Sequence, residues 1–127
     1  MGIKILAVED SKVMRFMINN LLSRAGHTVT LACDGKEGAI MASEQMFDLV
    51  ITDVNMPEID GIEFAQILRK DCDYSTIPII FLTSEAAENF QEESDLIGAA
   101  AWIVKPFSPR NLLETVNSVI TTILQTV

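Results

Sequence analysis

Five short, almost wholly apolar runs recur along the chain, at residues 3–8, 28–32, 47–52, 78–82 and 100–104. A strand with one wet face alternates apolar and polar residues; a strand covered on both faces does not. Runs this brief and this continuous therefore read as parallel strands buried in a sheet. Between them lie segments with helix start and stop marks. Ser11 caps a stretch in which Val13, Met17, Asn20 and Leu21 are read as one face, and Gly26 stops it. Asp34-Gly35-Lys36-Glu37 opens a second helix to about Gln45, and residues 61–70 carry Ile62, Ala65 and Leu68 on one side. Residues 88–97 hold Phe90 and Ile97 among four acids, which predicts a loosely held helix. Ser108-Pro109 opens the last helix, whose stripe of Leu112, Leu113, Val116, Val119, Ile120 and Ile123 is wider than one buried face needs.

Strand and helix alternate five times, without linker, repeat or low-complexity tract. The expectation is an α/β fold: one doubly wound, five-stranded parallel sheet with helices on both faces. Residues 1–127 then form a single domain with nothing left for an output domain. In such sheets ligands bind beyond the carboxyl ends of the strands, where the strand order changes direction. The first strand ends in Glu9-Asp10, the second in Cys33-Asp34, the third in Asp53, the fourth in Thr83-Ser84 and the fifth in Lys105-Pro106.

Each of these ends alone has a plain structural reading as a helix cap or a turn, and Asp60-Gly61 is read that way outright. Four of five carrying complementary chemistry is another matter. Three clustered carboxylates repel one another, and one lysine does not neutralise them. A hard divalent cation such as Mg²⁺ suits carboxylates, a carbonyl oxygen and water. Lys105 and Thr83 are then left to hold an anion, a phosphoryl group being the natural one beside Mg²⁺, with Asp53 as the attacking carboxylate.

Composition narrows the field. The net charge of −9, from 18 acidic and 9 basic side chains, argues against nucleic acid, which needs clustered Lys and Arg. Two cysteines in no metal-binding or redox spacing suggest a reducing compartment, with Cys33 a buried free thiol. The N-terminus reaches Glu9-Asp10 too soon for a signal peptide, and the longest uncharged apolar stretch, 96–104, is far short of the ~20 residues of a membrane helix. A soluble, cytoplasmic protein is expected.

The combination Glu9-Asp10-Ser11, Asp53 with Asn55-Met56-Pro57 and Asp60-Gly61, Thr83-Ser84 and Lys105-Pro106-Phe107 resembles the receiver domain of bacterial two-component response regulators, a flavodoxin-like (βα)5 fold. The resemblance runs from about Ile3 to Ile123. It is closest to the stand-alone chemotaxis, or CheY-like, type, with Ser11 and Arg15 in a DS-x-x-x-R pattern and Asn55 and Glu85 flanking the site.

The resemblance implies a signalling switch rather than an enzyme acting on a substrate. Asp53 accepts a phosphoryl group from a histidine of a sensor kinase. Asp10, Asp53 and the Asn55 carbonyl hold Mg²⁺, with Glu9 acting through a metal-bound water. Lys105 and Thr83 bind phosphoryl oxygens, Lys105-Pro106 is a candidate cis bond, and Asn55 and Glu85 tune the lifetime of the phosphorylated state. The last helix, the fifth strand and the helix before it then present a changed surface to a protein target such as the flagellar motor switch. A phosphatase is a further partner, the signal decays by self-dephosphorylation, and the protein is a monomer. Two positions depart from the pattern: Glu9 stands where Asp is commoner, and Trp102 where the switch residue is usually Tyr or Phe. Trp102 is either a ring that rotates or a fixed edge of the core.

A phosphorelay intermediate or phosphate sink would use the same site. A haloacid-dehalogenase-type phosphatase needs an acid two residues after its nucleophile, and Asn55 stands there. A flavin-binding domain needs a phosphate loop where the chain has Glu9-Asp10-Ser11-Lys12.

Overall fold

The computed structural model describes residues 2–84 and 87–125. Its elements are β1 (Lys4–Val8), α1 (Lys12–Arg24), β2 (Thr28–Ala32), α2 (Gly35–Glu44), β3 (Leu49–Asp53), α3 (Gly61–Lys70), β4 (Ile79–Thr83), α4 (Gln91–Ile97), β5 (Ala101–Val104) and α5 (Pro109–Gln125). The strands form one parallel sheet in the order β2-β1-β3-β4-β5. β1 thus has β2 on one side and β3 on the other, and the winding reverses between them. The expected fold class holds.

Burial explains the unbroken apolar runs. Every residue of β3 and β4, and all of β1 after Lys4, is buried. The edge strand β2 is only partly covered, which is why it tolerates Thr28 and Thr30. On one face the sheet packs Val8, Val50 and Phe81 against Ala42, Phe64, Leu68 and Ile97 of α2, α3 and α4. On the other it packs Ile5, Ile51 and Leu82 against Ile18, Leu22, Leu112 and Val116 of α1 and α5.

Local chemistry sets the helix starts. Ser11 Oγ accepts the Met14 N–H at 3.3 Å, and Asp34 and Asp60 accept the N–H groups of Glu37 and Glu63 at 2.8 Å each. Such caps satisfy donors that have no partner inside the helix, and each is worth about 1 kcal/mol. The C-terminus of α4 is held differently. Arg69 of α3 donates from Nε to the Ile97 carbonyl at 2.7 Å and from Nη2 to that of Gly98 at 3.4 Å, while its Nη1 reaches Tyr74 at 2.8 Å and Ile77 at 2.6 Å. The Tyr74 hydroxyl in turn lies 2.9 and 2.7 Å from the Ala42 and Gln45 carbonyls at the end of α2. One base plate thereby joins α2, α3 and α4.

Several expectations need correction. On α1 the buried side chains are Ile18 and Leu22, with Met14 and Leu21 packed on the core, whereas Val13 is 81% exposed and Asn20 is exposed. Apolar residues surround most of this helix, so two stripes compete and only packing chooses between them. The face of α3 includes Phe64, which the expected set lacked, while Ile62 is only partly buried. The acidic helix begins as a 3-10 turn at Ala87–Phe90, and α4 proper follows without a side-chain cap. The wide stripe of α5 is consumed by the core: Leu112, Val116 and Val119 are buried, and Leu113, Ile120 and Ile123 pack against them. Cys33 is half-buried rather than buried. Among the described residues no helix is long and apolar enough to cross a membrane.

Candidate functional site

The site sits where the winding reverses. Val8 pairs with Thr52, so Glu9 and Asp10 leave β1 beside Asp53 at the end of β3. Thr83 ends β4 next to it, and the Lys105 N–H donates to the Thr83 carbonyl at 2.7 Å. One carboxylate oxygen from each of Glu9, Asp10 and Asp53 lies within 4.8 Å of the others. The Lys105 ammonium is 3.0 Å from Glu9 Oε2 and 3.2 Å from Asp53 Oδ2. The Lys105-Pro106 bond, which the sequence left open between cis and trans, is cis.

Depth differs within the cluster. Glu9 is 0%, Asp53 3% and Thr83 0% exposed, whereas Asp10 faces solvent. Glu9 Oε1 accepts the Ser11 N–H at 3.2 Å, and Asp53 Oδ1 accepts that of Asn55 at 3.3 Å. Asp60-Gly61 is structural, as read from the sequence. Asp60 caps α3, and a Cβ on Gly61 would run into the Asp53 carbonyl oxygen. The backbone of α3 is thus pressed directly beneath Asp53.

Electrostatics follow from this burial. Burial pushes Glu9 up to about 7; the Asp53 charge adds to the rise, and the Lys105 hydrogen bond offsets only part of it. Asp53 is also raised, chiefly by burial, with Lys105 pulling it back. Burial alone would lower Lys105, but its contacts with Glu9 and Asp53 outweigh that and hold it above the ordinary lysine value. A firmly cationic lysine therefore faces carboxylates that resist full ionisation. Such a set is short of positive charge. It is all oxygen, with two members deep and one exposed, and it fits a hard divalent cation of the Mg²⁺ kind. A second acidic group, Asp71, Cys72 and Asp73, lies wholly exposed on one turn and has no such supporting chemistry.

Of the residues picked from the sequence, Glu9, Asp10, Asp53 and Lys105 come together, and Thr83 is buried at the next strand end. Asn55 is on the rim, its side-chain amide donating to Ser84 Oγ at 3.2 Å. Glu85 lies outside the described residues. Trp102 is half-buried, stacked at 4.5 Å on Phe81 and 5.1 Å on Phe90, with its indole N–H donating to Ser94 of α4 at 3.0 Å. Arg15 stood in a sequence pattern without a task. Its Nη1 donates to the carbonyls of Glu9 at 2.7 Å and Asp10 at 3.0 Å. The i, i+4 spacing from Ser11 was the available signal. Two cavities, of about 320 and 400 Å³, lie at the opposite end of the sheet, lined in part by Pro78 and Ala100 and by Ile3 and His27.

Residues 5–117 match the family described as the response regulator receiver domain. The crystal structure of the chemotaxis response regulator CheY4 of Vibrio cholerae superposes with a TM-score of 0.89 at 40% identity, covering 94% of this chain and 99% of that one. The CheY homologue of Campylobacter jejuni is 35% identical over 121 residues, 94% of this chain and 93% of its own length. The receiver domain of a Pseudomonas aeruginosa sensor histidine kinase, solved with a magnesium ion coordinated in its active-site cleft, is 30% identical with a TM-score of 0.84 over 95% and 99% of the two chains. Against some transcriptional regulators the chain spans about half of their length, 45% in one and 47% in another. Fold, strand-end chemistry and relatives agree: the chain belongs to the response regulator receiver-domain family, and is of the CheY-like type.

Proposed function

We propose that the chain is a phosphorylation-activated switch in which Asp53 is the phosphoacceptor. The carrying observation is the convergence of Glu9, Asp10 and Asp53 around one lysine at the winding reversal. An Asp53 carboxylate oxygen attacks phosphorus, the bond to the donor's imidazole nitrogen breaks, and the donor histidine keeps the electron pair. Asp10, Asp53 and the Asn55 carbonyl would hold Mg²⁺, with Glu9 acting through water, and the bound ion would neutralise charge on the phosphoryl oxygens. Lys105 leaves its carboxylate partners for one phosphoryl oxygen, and the Thr83 hydroxyl donates to another. Decay follows when water attacks phosphorus and Asp53 leaves, which returns inorganic phosphate. Asn55 and Glu85 set the access of that water.

The output surface of the receiver domain is formed by α4, β5 and α5, which engage a protein target such as a motor-switch component. Support comes from the Trp102–Ser94 bond, which couples β5 to α4 two strand positions from Thr83, and from Val104, 45% exposed on the same strand. The test is incubation with acetyl phosphate and Mg²⁺ followed by intact mass. One added phosphoryl group is expected on the native chain and none on Asp53→Asn. Labelling of Asp53→Asn at the native rate refutes the assignment.

A further inference from the structure

The three carboxylates of the site are aimed by different means. Glu9 is held by the Ser11 N–H and Lys105, and Asp53 by the Asn55 N–H and Lys105. Asp10 has no such help: the described contacts bring no donor to its side chain, although it is the exposed member of the trio. A side chain without partners is directed by its backbone alone. That backbone is gripped by Arg15, whose single Nη1 takes the carbonyls of both Glu9 and Asp10. Arg15 is itself fixed in the first turn of α1, its N–H donating to the Ser11 carbonyl at 2.9 Å.

We infer that Arg15 is a positioning residue that pre-organises Asp10 for a divalent cation by pinning the peptide planes on either side of it. The inference rests on the receiver reading above. Because the guanidinium meets carbonyls and no carboxylate, it takes up no carboxylate lone pair that a cation could use. Its own positive charge works the other way and opposes the arrival of a second cation. Pinning and charge therefore predict opposite signs for removal of Arg15. In an exposed cleft screening weakens the charge effect, while the ordering of the loop is undiminished.

The experiment is Mg²⁺ titration by calorimetry of the native chain, Arg15→Lys and Arg15→Met. Acetyl phosphate labelling across Mg²⁺ concentration and the metal-free Tm accompany it. Arg15→Met should raise the Mg²⁺ Kd roughly fivefold and the half-saturating Mg²⁺ for labelling by the same factor. The labelling rate at saturating Mg²⁺ should stay within about twofold of native, a split that general loosening of the fold would not give. Arg15→Lys, with a shorter reach, should lose about half as much. An unchanged or lower Kd in Arg15→Met overturns the inference. If that variant does not fold, Arg15→Lys decides: a Kd raised about twofold supports pinning, and an equal or tighter Kd overturns it. A native chain that binds no Mg²⁺ overturns the proposed metal-dependent switch, whereas native binding with unaltered variants removes only the role of Arg15.

Discussion

Two half-buried cations stand at different places in this molecule, and they are solvated in opposite ways. Lys105 faces the carboxylates of Glu9 and Asp53 at one end of the sheet. Arg69 faces the carbonyls of Tyr74, Ile77, Ile97 and Gly98, and among the described residues it meets no carboxylate. Carbonyls are neutral dipoles that stay where the backbone puts them. Carboxylates can be protonated, can bind a metal or can become esterified, so the partners of Lys105 can change while the ammonium persists. A switch needs a charge with alternative partners; a base plate needs one with none. The dipole of α4 adds to the arginine's grip, since the carbonyls at a helix C-terminus carry partial negative charge.

Chemistry offers the largest contrast. Lys105→Met should slow acetyl phosphate labelling about 100-fold, because in the proposed mechanism it removes the preorganised charge that meets the phosphoryl oxygens. Arg69→Met should leave the rate at saturating Mg²⁺ within roughly threefold, as it touches nothing that reacts. Equal losses in the two variants would break the distinction between switch and base plate.

Stability should rank them the other way. Arg69→Met strands three part-buried carbonyls and should cost about 3 kcal/mol, or roughly 10 °C in Tm for a domain of this size. At pH 6 Lys105→Met should cost less than about 1 kcal/mol, because Glu9 and Asp53 can then share a proton instead of a lysine. Chemical denaturation of both variants at that pH measures the difference.

A third effect sharpens the account of the charged end. Glu9 lies near 4.5 when unfolded and at about 7 when folded. A raised folded value means stability that is full below about pH 4.5 and lost as the pH rises through about 7. The metal-free native chain should therefore lose on the order of 2 kcal/mol between pH 5 and 8 relative to Glu9→Gln, and saturating Mg²⁺ should reverse that loss. His27 slopes the other way. Burial lowers its pKa, and its Nδ1 accepts the Ile3 N–H at 3.2 Å, so its contribution falls as the pH drops below its unfolded value. Comparison with Glu9→Gln cancels this background. Parallel pH profiles would mean that Glu9 is not the strained group.

The smallest effect concerns the link between the site and α4. Beryllofluoride with Mg²⁺ should shift the Trp102 emission by a few nanometres, and Thr83→Ala should shrink the shift. Ser94→Ala should move the resting spectrum, because the indole N–H loses its acceptor. An emission indifferent to the phosphoryl mimic would make Trp102 a fixed spacer between Phe81 and Phe90.

The strands, their direction and the chemistry at their ends were legible because buried parallel strands leave unbroken apolar runs and because complementary charges on separate strand ends have no common structural cause. Helix phase was not. Val13 and Ile18 are equally apolar, and only contact with β1 and α5 placed Ile18 inside and Val13 out. The α5 stripe looked wider than one buried face needs until packing filled it.

Residue identity by itself determined that Glu9, Asp10, Asp53, Thr83 and Lys105 share one end of the molecule, since strand order and period fix which end a residue occupies. Only the tertiary structure decided depth and partners: that Glu9 is sealed under Lys105 while Asp10 meets water, that Arg15 holds the backbone of both acids, and that Arg69 serves α4 from another helix. These depend on distances between segments far apart in the chain, and no local pattern encodes such a distance.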